Sequence, residues 1–302
     1  MNTAETLLAE LHSVPAGSVA GIGDNVLDCY VDEGLAYPGG NALNVAAYSR
    51  RLFGSRASYL GIVGTDRFAD HLLNVLGRIG VETPGVRRAA GPNGMAFVAL
   101  DADGDRRFVG SNRGGVQEGL RLRVTEADRE HLAGFASIHT STYSAIDADV
   151  ALLAEGSSVS FDFSTDVERA RIARLAPALG VAFFSGAALT AAEVDELGEY
   201  AIASGCGSAV VTLGSRGAVG FERGRRSAVD VRPVHAVDAL GAGDAFITGY
   251  LAARDAGADL DQRLAIAATA GAAACLSRGA FGYAVEAGPD ALQGMTRVYS
   301  PL

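Results

Sequence analysis

The sequence predicts an α/β protein, a doubly wound and mostly parallel sheet with a small β-sheet lid, and three observations carry that expectation. Short apolar runs alternate with helical stretches along most of the 302 residues. That βαβα order demands parallel strands with helices packed on both faces. Two segments, at about 27–37 and 94–110, are extended and interrupt the order. Glycine turns recur where strand-like chain runs into a helix, the place where such folds receive phosphate groups.

Residues 1–18 read as a short helix ending near Pro15 and Gly17, and 19–23 as an apolar run before a polar turn. Residues 41–54 read as a helix entered through Pro38, Gly39 and Gly40, and 57–63 as a strand. Asp66 can cap the next helix, whose Phe68, Leu72, Leu73, Leu76 and Ile79 recur at helical spacing. Further strands are expected at 136–139, 158–163, 181–184 and 208–213. Helical stretches near 126–134, 168–179 and 190–204 lie between them. Thr190 and Glu193 have capping-box spacing. In the second interrupting segment, Met95, Phe97 and Ala99 alternate with Ala96, Val98 and Leu100, and a polar turn follows at 101–105. That is hairpin chemistry. Either the two segments pair into a separate sheet over the strand ends, or they add edge strands to the main sheet. The topological rules favour the lid.

With 49% hydrophobic and 20% charged residues, the chain supports one large core. Its longest apolar run, 264–276, is shorter than the roughly 18–20 residues a membrane helix needs. The N-terminal stretch carries Glu5 and Glu10 and no basic residue, which argues against a secretion signal. Cys29, Cys206 and Cys275 form no C-x-x-C pair, so a reduced cytoplasmic protein without a zinc site is expected. All 25 basic residues are Arg. The absence of Lys excludes the Walker A loop, the protein-kinase phosphate lysine and the pyridoxal Schiff base. If the protein handles phosphate, it must then use backbone N–H groups, Arg and a metal ion. A net charge of −10 disfavours nucleic acid as a partner.

The strongest local feature is the run from Val237 to Phe246, which contains Gly241-Ala242-Gly243-Asp244. Phe246, Ile247, Tyr250 and Leu251 continue as a helix, so the glycines form the turn into its N-terminus. Free N–H groups and the helix dipole favour an anion there, and glycine keeps the backbone open to it. Asp244 beside that hole would take the proton of a substrate hydroxyl while the N–H groups stabilise the transferred phosphoryl group. The alternative is a plain helix cap. The helix terminus is expected to keep its pKa low.

Three further glycine turns stand out. Thr212-Leu213-Gly214-Ser215-Arg216-Gly217 follows the apolar run 209–211 and serves as a nucleotide loop, a hairpin turn, or both. Gly39-Gly40-Asn41-Ala42-Leu43-Asn44 again leads strand-like chain into a helix. Gly21-Ile22-Gly23-Asp24-Asn25 starts like a dinucleotide fingerprint, but Val26 stands where the third glycine belongs and no helix follows.

In this order, the turns resemble the ribokinase-like (PfkB) family of ATP-dependent carbohydrate kinases over roughly 19–285. Gly39, Gly40 and Asn44 are similar to its N-terminal signature, 212–217 to its nucleotide loop and 238–244 to its C-terminal signature. Ser277-Arg278-Gly279-Ala280 resembles the segment closing its adenine pocket. The resemblance implies a single ribokinase-like kinase domain with an inserted lid, and a homodimer formed through that lid. It implies a sugar and ATP as partners, with Mg²⁺ bridging the nucleotide phosphates. By the same resemblance, Asp244 is the base and Gly241, Ala242 and Gly243 form the anion hole. Asp28, Gly39, Gly40 and Asn44 hold sugar hydroxyls, with Asp24 and Asn25 as additional contacts. Thr212, Gly214, Arg216, Gly217 and Gly279 bind the nucleotide. Within the family, the runs from Gly21 to Tyr30, Gly40 to Ala46 and Phe161 to Ser164 most resemble kinases acting on O6 of a fructosamine such as fructoselysine.

The sequence departs from the family in two places. The usual Asp-Thr before the anion hole is Asp238-Ala239, which leaves activation by a monovalent cation open. The N-x-x-E element belongs near 184–188 and is absent, so metal ligands stay unassigned and Glu193 reads as a helix cap. Fructose, ribose, a keto-deoxy acid or a nucleoside are alternative acceptors, and a sugar- or nucleotide-binding protein without turnover is a further alternative. The five His have no metal-ligand spacing, and His139 reads as a satisfied core residue. Arg223, Arg225 and Arg226 read as a solvated hairpin tip, while Asn112, Arg113 and Tyr37 lie beside the lid segments, where substrate contact is one reading.

Overall fold

The computed structural model describes residues 3–100, 106–293, 295, 297 and 298. In chain order, α1 (Ala4–His12) leads to β1 (Ser18–Gly23), β2 (Val26–Tyr30), β3 (Leu35–Gly39), α2 (Asn41–Phe53), β4 (Arg56–Val63), α3 (Arg67–Ile79) and β5 (Arg87–Arg88). Next come β6 (Met95–Leu100), β7 (Arg106–Ser111), α4 (Glu126–Leu132), β8 (Ser137–Ser141), α5 (Val150–Leu153), β9 (Ser158–Asp162) and α6 (Arg169–Leu175). After them run β10 (Val181–Ser185), α7 (Ala191–Ala203), β11 (Ser208–Thr212), β12 (Ala218–Glu222) and β13 (Arg225–Val229). The last described elements are α8 (Ala242–Asp255), α9 (Leu260–Ala274), β14 (Val285–Glu286), α10 (Gly288–Gln293) and β15 (Arg297–Val298).

Nine strands form one sheet in the order β13-β12-β11-β10-β9-β8-β1-β4-β5. Pairing is parallel from β11 to β5, and β12 and β13 add an antiparallel edge. Helices cover both faces, so the inner strands are buried on both sides; 181–184 and 208–211 are buried without a break. The winding reverses between β1 and β8, the switch point at which doubly wound sheets open a crevice for ligands. Asp24 follows β1, Ser141 ends β8 and Asp162 ends β9, so the topology gathers three polar side chains at the carboxyl ends of neighbouring strands. Local signals hold where the chain supplies them. Asp66 accepts from the N–H of Ala69 at 2.9 Å, and Thr190 with Glu193 forms a capping box, contacts worth about 1 kcal/mol each. The turn between β12 and β13 carries the Arg cluster, with Arg225 on Asp261 and Arg226 on Asp195, both at 2.7 Å on the surface.

The two interrupting segments supply the four central strands of a second, six-stranded sheet in the order β14-β3-β2-β6-β7-β15, and not extra edges on the first. The turn expected at 101–105 lies outside the described residues. Only Asp24 and Asn25 separate β1 in one sheet from β2 in the other. Asn25 is fully buried; its Nδ2 donates to the Tyr59 hydroxyl and the Ile62 carbonyl, both at 2.8 Å, and its Oδ1 accepts from Asn93 Nδ2 at 3.0 Å. Asn25, expected as a sugar contact, thus braces the two sheets in this structure. Asn112 is used similarly, closing the base of the β6–β7 pair through Met95 N–H and Asn93 carbonyl, both at 2.7 Å. No described helix is long and apolar enough to cross a membrane.

Candidate active site

Two glycines let the lid close on the start of α2. Gly40 has φ 106°, and a Cβ there would stand 2.6 Å from Asn25 Cα; at Gly39 it would stand 2.0 Å from Asp28 Oδ2. Asp28 is thereby packed, largely buried, against the entrance to the helix. Asp24 serves that helix from outside it. Its Oδ2 accepts from Asn41 N–H at 2.6 Å, and its Oδ1 from Ala42 N–H at 3.3 Å and from the Ser141 and Ser144 hydroxyls at 2.9 Å. With four donors already on its oxygens, Asp24 anchors α2.

Gly241, at φ 74°, begins α8, and no side chain caps that helix. Asp244 lies in the first turn, but its carboxylate reaches across to α2. Oδ1 accepts from Asn41 Nδ2 at 2.9 Å and Oδ2 from Asn44 Nδ2 at 2.6 Å. This geometry rules out the plain-cap alternative. The N–H of Ala242 already bonds the Ala239 carbonyl at 3.2 Å, whereas those of Gly243 and Asp244 have no partner among the described residues. Gly243 is exposed, with nothing within 4 Å of where a Cβ would stand.

The charge environment overturns the expected low pKa of Asp244. Burial pushes it up to about 7; the nearby carboxylates of Asp162 and Asp24 push the same way, while the Asn44 and Asn41 amides offset part of the rise. A helix terminus contributes only about 0.3–1 kcal/mol, less than enclosing a charge beside two others. Asp162 is pushed up to about 6, again by burial first and then by Asp24. Asn41 links the pair, since its Nδ2 also donates to Asp162 Oδ2 at 2.9 Å. Sequence reasoning assigned a role to neither Asn41 nor Asp162, although both lie in motifs it singled out. No spacing rule joins positions 121 residues apart. Asn44 Oδ1 is buried with no partner among the described residues.

Beside Gly243 opens a cleft of about 550 Å³. Thr212, Gly214 and Gly217 line it from the loop after β11, Ala239 and Ala242 from the turn into α8, and Ala268, Gly271 and Ala272 from α9. The loop is also the hairpin turn that feeds β12. Two residues expected at the nucleotide face elsewhere. Arg216 donates to the Ala187 and Leu189 carbonyls at 2.9 and 3.2 Å. Gly279 gives its N–H to Asp238 Oδ2 at 2.9 Å and is pressed against Tyr37, where a Cβ would meet the ring at 2.5 Å. Asp238 also accepts from Leu240 N–H at 3.0 Å and from the lid hydroxyl of Tyr30 at 2.5 Å. Among the described residues no three His, Cys, Asp or Glu side chains converge to hold a metal ion.

A carboxylate poised at a glycine-opened helix start, between a polar corner under a β lid and a long cleft, defines a phosphotransferase for a small hydroxylated acceptor. Residues 18–285 match the pfkB family carbohydrate kinase model. The chain belongs to that family and is an ATP-dependent sugar kinase. It is 44% identical over 262 residues to fructosamine kinase FrlD of Bacillus subtilis (strain 168), covering 87% of this chain and 92% of that one. It is 34% identical over 253 residues to fructoselysine 6-kinase of Escherichia coli (strain K12), covering 82% and 93%. An Arabidopsis thaliana ribokinase, solved with ribose and ATP, shares the fold at a TM-score of 0.73 and 18% identity, over 93% of this chain and 96% of that one.

Proposed function

We propose that this kinase transfers the γ-phosphoryl group of ATP to O6 of a fructosamine such as fructoselysine. The observation that carries the chemistry is Asp244, held by two asparagine amides beside the unpartnered N–H groups of Gly243 and its own. The acceptor class rests on the likeness to the two relatives named for fructosamine and fructoselysine. Ionised Asp244 takes the hydroxyl proton as the oxygen attacks phosphorus, while Gly241, Gly243 and Asp244 N–H groups face the charge that develops. Ala242 joins them once its bond to Ala239 opens. Asp28, Gly39, Gly40 and Asn44 form the sugar corner, with Asn44 Oδ1 as a ready acceptor for a hydroxyl. Thr212, Gly214 and Gly217 bound the nucleotide cleft, and the small side chains of α9 leave room for a flat base.

Mg²⁺ arrives on the nucleotide phosphates and supplies charge neutralisation there. The described side chains form no cage for it, so no step is assigned to a protein-held metal. A monovalent cation has little claim on Asp238, whose oxygens already serve Tyr30, Leu240 and Gly279. The chain works as one kinase domain whose lid sheet pairs with that of a second copy, and half-exposed Phe108 on β7 offers apolar surface for the contact. The buried thiols of Cys29 and Cys206 suit the reducing cytoplasm.

The test is a panel of acceptors with coupled ADP detection. Fructoselysine should exceed fructose, ribose and nucleosides in kcat/KM by roughly 10–10²-fold. A fructosamine no better than fructose would overturn the acceptor assignment. Light scattering at twice the chain mass checks the dimer.

A further inference from the structure

His139 lies on β8, wholly buried, and 98 residues from Asn41 in sequence. Its Nε2 stands 2.8 Å from Asn41 Oδ1, and its Nδ1 2.9 Å from Ser160 Oγ. The hydrogens can be assigned from the carboxylates inward. Asn41 presents one end to both Asp162 and Asp244 at 2.9 Å, and only the NH₂ end can face two carboxylates. Its carbonyl end therefore faces His139, so Nε2 carries the ring hydrogen and Nδ1 accepts from the Ser160 hydroxyl, whose single hydrogen goes to the ring at 2.9 Å in preference to the Ile138 carbonyl at 3.2 Å. Burial keeps the imidazole neutral, with its pKa down to about 3, so one hydrogen is all the ring has.

We propose that His139 is a positioning residue for phosphoryl transfer: its Nε2–H locks the Asn41 amide in the orientation that holds Asp244 and Asp162 on one nitrogen. Freed of that bond, Asn41 can turn its carbonyl toward the two carboxylates, which removes a donor from the base. The titratable groups facing Asp244 are Asp162 from β9, Asp24 after β1, Tyr48 from α2 and Tyr143 from the loop after β8. None brings a positive charge, so the Asn41 and Asn44 amides are what hold its ionised form.

The full-length enzyme tests this. His139→Leu should lower kcat roughly 10–10²-fold, leave the ATP KM within about twofold, and move the acid limb of the pH–rate profile to higher pH. His139→Gln, whose amide nitrogen overlays Nε2, should keep kcat within about threefold of the parent. In an Asn41→Ala background, His139→Leu should add no further loss. Equal impairment by Leu and Gln, losses that multiply in the double variant, or an unchanged profile in His139→Leu overturns the proposal. Should His139→Leu not fold, His139→Asn against His139→Gln carries the same test. The shorter amide mimics Nδ1 and leaves Asn41 unheld, so equal activity of the two would be decisive against it.

Discussion

Asn44 donates from Nδ2 to Asp244 Oδ2 at 2.6 Å, while the other end of the same amide, Oδ1, is buried without a partner. An orphaned buried acceptor carries a penalty of about 1–3 kcal/mol. A sugar hydroxyl that donates to it removes the penalty and lies next to the base as it does so. In the proposed reaction one side chain would thus join acceptor recognition to proton transfer.

Replacing that amide by a carboxylate separates the two roles. Asn44→Asp places a second negative charge at hydrogen-bond distance from Asp244 and removes its shortest donor. The acid limb of kcat/KM should move at least one pH unit upward, by the rule for neighbouring carboxylates. Asn44→Ala should instead raise the sugar KM roughly tenfold. Steady-state kinetics between pH 5.5 and 9 at about 0.15 M salt reads both.

The raised pKa of Asp244 has a rate consequence and a stability consequence. A base must be ionised, so kcat/KM of the parent should climb with pH and level off above about 7. Asp244→Asn should lose roughly 10²–10⁴-fold in kcat while still binding sugar and ATP. For stability the sign is opposite to that of a salt-bridged carboxylate. The folded pKa of about 7 exceeds the ordinary 3.8, so the native state holds the proton longer and loses stability as pH rises between those values. Asp244→Asn escapes that loss. The Tm of the variant relative to the parent should therefore increase from pH 4 to pH 7 and stay constant beyond, and a flat difference would contradict the shift.

Gly243 offers a test that separates folding from catalysis. No atom would touch an added Cβ, and the residue sits inside the first turn of α8. Gly243→Ala should hold or raise Tm, since Ala is favoured over Gly in a helix by about 1 kcal/mol. The new methyl group stands in the cleft beside the free N–H groups, so the ATP KM should rise roughly tenfold or more. A variant with parental ATP kinetics would remove Gly243 from the phosphate site.

Much of this was legible in the sequence because it is local. Runs such as 181–184 are apolar on both faces only in a covered parallel strand. Thr190 with Glu193 and Asp66 with Ala69 act over three residues. Gly241 and Gly40 mark turns that need positive φ. What the sequence does not display is long-range. The family resemblance adds Asp24 and Asn25 to the sugar contacts; the donors and acceptors that hold them lie on β4, α2, β8 and the loop after β8, far along the chain. Arg216 and Gly279 sit in the right turns but point into neighbouring loops. The pKa of Asp244 was misjudged because a helix dipole can be read from order along the chain, whereas enclosure beside Asp162 cannot.

The neck between the two sheets is two residues long, and the second of them is bolted to the core by Asn93, Tyr59 and Ile62. A cover hung on so short an axle cannot swing without turning the first. That residue is Asp24, whose oxygens grip the opening turn of α2, and the same turn bears the amides on Asp244. On the proposed mechanism, torque from the cover would reach Asp244 through a train of three contacts, which would tie shutting over a sugar to arming the base.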